Sequence, residues 1–202
     1  MLYNKRDSRQ VPKGKDICAS KKYYDVMYAY LQCISKYDAE LKERSIDKKE
    51  INFSNFANVF SISRQTASKK FNSLIDMGLV TMKDKNTYLL NVLEPNIATL
   101  VPYKTLKLIT DSLNAHSINT YVYLLNRYYA NGCKPFVFSL SQIKEYIGIC
   151  ATTKSNDDTV TNILFVLQKI GLIRYKLSAL EQKDNFKNVK TAYVLEWLTN
   201  SI

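Results

Sequence analysis

Apolar residues recur at helical spacing in KKYYDVMYAYLQCISKYDAELKER, residues 21–44, at Tyr23, Met27, Tyr30, Leu31, Ile34 and Tyr37. An apolar side chain every three or four positions marks one buried helix face. Neither Gly nor Pro interrupts the run, so one long helix is expected from Lys21 to about Arg44. INFSNFANVFSIS follows, with Phe53, Phe56, Val59 and Phe60 spaced for one short helix. A third helix is expected over residues 63–77. Ser63 can cap it by accepting a bond from an otherwise unpaired helix N–H, and Gly78 ends it by adopting the left-handed cap conformation. Next, LVTM and TYLLNV read as two strands joined by the turn KDKN.

The same order returns later in the chain. Ser117 to Ala130 reads as a helix and Phe136 to Phe138 as a short strand. SLSQIKEYIGI reads as a short helix capped by Ser139 or Ser141. NDDTVTNILFVLQKIGL reads as a longer helix starting near Asp157. LIRYKL and VKTAYVLEWL read as two strands around the polar loop SALEQKDNFK. MGLV at 77–80 and IGLI at 170–173 mark the same junction in each copy, a helix ending on glycine before an apolar strand. A repeated element order carries more weight than the four shared letters.

Composition agrees with a helix-rich chain of one large or two small domains. The 202 residues hold only 5 Gly and 4 Pro, too few for an all-β sandwich with its many turns. The net charge of +11 points to a polyanion, either nucleic acid or an acidic membrane surface. Residues 1–20 carry Lys5, Arg6, Arg9, Lys13 and Lys15 against Asp7 and Asp16, with Pro12 and Gly14 breaking any helix. This stretch reads as a flexible basic arm able to add phosphate contacts. Cys18, Cys33, Cys133 and Cys150 form no C-x-x-C pair, and there is one histidine, so zinc lacks its usual ligand spacing. Cys33 reads as a core residue. With no signal-like apolar segment and no membrane span, a soluble cytoplasmic protein without metal or cofactor is expected.

The helix-x-Gly-Leu-Val/Ile junction leading to a β hairpin resembles winged-helix domains, over roughly residues 21–94 and 103–198. Two such domains in tandem look like replication initiators of plasmids and phages and like mobile-element proteins. The segment ATLVPYKTLKLITDSLNAHSINTYVYLLNRYY is similar to the entry of a winged helix in such proteins. The resemblance implies a mainly α fold with small β wings, two winged helix-turn-helix domains in tandem. Residues 1–20 would be the arm, 21–94 the DNA-reading domain, 95–115 a linker or lead-in, and 116–202 a second domain for dimerisation or auxiliary DNA contact. It also implies double-stranded DNA as partner, with the third helix in the major groove and the wing on the backbone.

Placed at 100° per residue, residues 63–77 put Ala67, Phe71, Leu74 and Ile75 on one side and Gln65, Ser68, Lys69, Asn72 and Asp76 on the other. No acid occurs before Asp76. Gln and Asn can pair bidentately with adenine, and Arg and Lys with guanine or phosphate. Gln65, Lys69 and Asn72 are therefore expected on bases, and Arg64, Ser68 and Lys70 on the backbone. Lys83 and Lys85 flank the first hairpin turn and suit phosphate contact.

The second copy differs. Val160, Ile163, Leu164, Leu167 and Ile170 face inward, while Asp158, Asn162, Phe165, Val166 and Lys169 face out. Asp157 and Asp158 would repel phosphate at the helix start. Phe165 and Val166 are therefore expected at a protein interface, either in a homodimer or against the first winged helix. Its hairpin remains basic, with Arg174, Lys176, Lys183, Lys187 and Lys190.

Tyr23, Tyr30, Tyr121, Tyr128 and Tyr146 fall in core patterns, which argues against single-strand stacking. His116, placed just before a helix, reads as a capping-region residue and not a base, and no phosphate loop or nucleophile elbow occurs, so no catalytic residue is assigned. Three roles stay open. These are a replication initiator, a transcriptional regulator using the same chemistry, and a helicase-loader-like adaptor that binds replication or transcription proteins and touches DNA weakly.

Overall fold

The computed structural model describes residues 8–12, 24–59, 62–93, 98–112, 115–179 and 191–198. It is mixed α+β, with more strand than the mainly α expectation. The chain divides into two compact units between Ile118 and Asn119. This is later than the expected end of the first domain.

In the first unit, β1 (Ser8–Pro12) pairs antiparallel with β6 (Ala98–Pro102). The described part of the expected flexible arm is thus a strand, and the expected linker supplies its partner. Burial explains why: Val11 and Val101 are both fully buried, and apolar alternation fixes the register. The rest of the expected linker holds α4 (Tyr103–Ser112), which buries Leu106 and Ile109. Lys5, Arg6, Asp7, Lys13, Gly14, Lys15, Asp16, Cys18 and Tyr23 lie outside the described residues.

α1 (Tyr24–Ile34) buries Met27, Tyr30 and Leu31, as its pattern predicts. It does not reach Arg44. Residues 36–47 instead form a hairpin of β2 (Lys36–Asp38) and β3 (Glu43–Asp47). Local polar bonds compete with the helix here. The Asp38 carboxylate accepts from the N–H groups of Glu40 and Leu41 at 2.9 and 3.0 Å, and Lys42 adopts φ 55°. Tyr37, counted on the helical stripe, is exposed beside the Arg44 guanidinium on this hairpin.

A single 3-10 turn (Lys48–Glu50) leads to α2 (Phe53–Val59) and α3 (Arg64–Asp76). β4 (Val80–Asp84) and β5 (Thr87–Leu90) close the sheet in the order β2-β3-β5-β4. Phe53, Phe71 and Tyr88 stack edge-on in sequence, with Phe71 and Tyr88 buried, and they fix α3 against the sheet. Phe60 lies outside the described residues.

The second unit repeats the plan with α5 (Ala115–Ala130, whose first four residues fall in the first unit), β7 (Phe136–Phe138), α6 (Leu140–Ile147), α7 (Lys154–Lys169), β8 (Ile173–Ala179) and β9 (Thr191–Leu198). Its sheet order is β7-β9-β8. This matches β3-β5-β4, since in each set of three the last strand in chain order lies between the other two. Ser139, not Ser141, caps α6, in a reciprocal capping box with Gln142. α7 begins three residues before Asp157. His116 is the second residue of α5 and does not precede it. Tyr121 is buried in that helix, while Tyr128 and Tyr146 are half-buried.

Candidate nucleic-acid interface

α3 has the predicted start and end. The Thr66 N–H donates to Ser63 Oγ at 3.0 Å. At the other end Gly78 takes φ 69°, its N–H donates to Ile75 O, and the Leu79 N–H donates to Leu74 O. These two bonds define a Schellman motif. Ala67, Phe71 and Leu74 are buried, while Ile75 is only half-buried. Arg64, Gln65, Lys69 and Asn72 are exposed, and Ser68 and Lys70 are half-buried at the flanks. At helical spacing Gln65, Lys69 and Asn72 therefore fall in one outward row, two turns long. Two amides and a cation stand in that row, with Asp76 entering only at its far end. No acid lies in the first turn, so the partial positive charge of the helix start is not neutralised there.

The first hairpin is less basic than its sequence suggests. Lys83 Nζ pairs with Glu43 Oε2 at 3.1 Å, from β3. Lys85 is exposed at the tip. The Asn86 N–H donates to Asp84 Oδ1 at 2.8 Å, which holds that carboxyl below its ordinary range and keeps an anion beside Lys85. Of the two expected phosphate lysines, Lys83 is thus ion-paired, and Lys85 has no ion pair among the described residues.

In the second unit, α7 buries Val160, Ile163, Leu164 and Leu167, while Ile170 is half-buried. Asp158, Asn162, Phe165 and Lys169 are exposed and Val166 is half-buried. Asp157 does not act as a free acid. The ammonium of Lys144 on α6, only 2% exposed, bonds Asp157 Oδ1 at 2.6 Å and the Ala151 carbonyl oxygen. Of the two acids near the start of α7, Asp158 alone has no ion pair among the described residues. The expected phosphate repulsion is correspondingly weaker. The second hairpin is also less basic than expected: Arg174 and Lys176 both pair with Glu196, at 3.1 and 2.9 Å. Lys176 is the main cause holding that carboxyl below its usual range. Lys183, Lys187 and Lys190 lie outside the described residues.

The pairings made by Lys144, Glu196 and Glu43 escaped the sequence reading. Each residue is joined to its partner across separate elements, and neither periodicity nor local spacing records such a pairing.

Burial pushes the half-buried Cys33 thiol up to about 11, whereas Cys133 and Cys150 are exposed. Among the described residues no group of three or more His, Cys, Asp or Glu side chains could hold a metal ion. No described helix is long and apolar enough to cross a membrane.

No protein-family model and no curated protein matches the chain. Among solved structures, it is similar to the crystal structure of the Pi initiator protein in complex with iteron DNA. The identity is 13%, the match covers 98% of this chain and 100% of that one, and the TM-score is 0.47.

Proposed function

We propose that the chain is a tandem winged-helix protein that binds specific duplex DNA and marks a replication origin of a plasmid, phage or mobile element. The observation that carries this reading is the outward row Gln65, Lys69 and Asn72 on a capped helix whose first turn has no acid. In this reading α3 enters the major groove. Gln65 and Asn72 read adenine edges, Lys69 reads guanine, and Arg64, Ser68, Lys70 and Lys85 hold the backbone. The net charge of +11 supplies the long-range attraction. The repeated topology supports the origin role, because two readers in one chain suit an extended or repeated site. The bond between Asp157 and Lys144 weakens the adaptor alternative, which drew on an acidic second face.

The test is selection of bound sequences from random duplexes, followed by affinity at two salt concentrations. A recovered motif is expected, and its occurrence as repeats at an origin supports the initiator role; a promoter position would assign the regulator instead. With Arg64, Lys70 and Lys85 on phosphates, affinity should fall roughly 40-fold per fourfold rise in salt. If Lys69→Ala and Asn72→Ala both bound the selected site like wild type, the α3 assignment would be wrong.

A further inference from the structure

We propose that Phe165 on α7 reads the C5 methyl group of a thymine in the major groove of duplex DNA. This rests on the DNA-binding reading above and extends it to the second unit.

The helix ends supply the alignment. Gly78 and Gly171 both adopt positive φ, at 69° and 76°. The Gly171 N–H donates to Gln168 O and the Leu172 N–H to Leu167 O, repeating the α3 pattern bond for bond. With Gly78 set on Gly171, the buried residues Ala67, Phe71 and Leu74 fall on buried Val160, Leu164 and Leu167. The same register puts Gln65 on Asp158, Lys69 on Asn162, Asn72 on Phe165 and Asp76 on Lys169. Phe165 thus occupies a base-reading position of the first unit.

Its surroundings favour a base edge over a protein partner. Phe165 is 57% exposed, yet Asp158, Asn162 and Lys169 beside it on the same face are polar and exposed. A protein interface needs a contiguous apolar patch at its centre, and this row holds one apolar ring between polar groups. That mixture suits a groove edge. The thymine methyl is the apolar group on that edge, and the other positions match polar ones. Asn162 is one turn away and can pair with adenine, while Asp158 can accept from the cytosine amino group, a base contact that an anion makes without meeting phosphate. Lys144 holds Asp157 out of that row by neutralising it.

The experiment replaces each thymine of the selected site by deoxyuridine, which deletes only the methyl. Wild type should lose about fourfold in affinity at one thymine, the effect of exposing one apolar carbon. Phe165→Ala should bind the parent site about that much more weakly and be insensitive to deoxyuridine there. Phe165→Leu, which keeps an apolar contact, should retain part of the sensitivity. If Phe165→Ala shows the wild-type deoxyuridine profile at every position, the proposal is overturned while the DNA reading stands. A Phe165→Ala protein with altered self-association and an unchanged profile would overturn it in favour of a protein contact. Absence of any selected site for wild type would overturn both readings.

Discussion

Replacing Lys144 separates packing from charge in the second unit. Its side chain is 2% exposed, its ammonium bonds Asp157 and the Ala151 carbonyl, and its stem lies in the interior. In Lys144→Ala three methylenes of the stem are lost, at about 0.8 kcal/mol each, with a further contribution from the cavity, so about 2–4 kcal/mol of stability should go. Lys144→Met keeps most of the volume. It loses two charge-assisted bonds but no longer holds an ammonium away from water, and these effects are of similar size. Ala151 and Asp157 are open enough for water to replace the lysine: Ala151 is exposed and the Asp157 side chain is 41% exposed. The methionine variant should therefore lie within about 1 kcal/mol of wild type. Urea unfolding followed by circular dichroism measures both variants. Equal damage from methionine and alanine would refute the reasoning, because it would place the stability in the ion pair and not in the buried stem. Lys144→Met also frees Asp157, so its DNA affinity should drop at low salt while its fold is kept.

Three further outcomes follow from individual contacts. Ser63→Ala removes the acceptor for the Thr66 N–H and should lower stability by about 1 kcal/mol; an unchanged denaturation midpoint would show that water replaces the cap fully. Glu43→Gln releases Lys83, so the salt dependence of duplex binding should steepen by about one phosphate contact, and a slope identical to wild type would remove the first hairpin from the interface. The Cys150 thiol is lowered to about 6, chiefly by the Thr152 hydroxyl and then by that of Thr153. Its thiolate is therefore the major form above that pH, and alkylation followed by peptide mass mapping should rise with a midpoint near 6. A midpoint in the ordinary thiol range of about 8.5 would contradict the assigned hydrogen bonds.

The elements that were legible in sequence are those whose determinants are local. Ser63 and Gly78 mark the two ends of α3, and the burial of Ala67, Phe71 and Leu74 follows from 3.6-residue periodicity. The order of short helix, longer helix and hairpin was readable in both units for the same reason, as was the MGLV and IGLI junction. The exposed row on α3 was equally readable, because a helix turns its faces at fixed angles.

What failed depended on partners far away in the chain. The Lys36–Asp47 hairpin carries apolar residues that also fit a helical stripe. It becomes a hairpin because β3 gains hydrogen bonds from β5, 40 to 46 residues on, while Asp38 turns the chain. Ser8–Pro12 reads as a polar arm until Ala98–Pro102 supplies a second strand. The same holds for charge. The sequence counts Lys83, Arg174, Lys176 and Asp157 as free ions, whereas Glu43, Glu196 and Lys144 bind them in the fold. By itself, then, the sequence determined the helix faces, their caps and the excess of positive charge, since each is set within a few turns of chain. Only the tertiary structure decided which strands pair and which charges are neutralised by a partner, because ion pairing and strand pairing depend on distances in space that sequence separation does not encode.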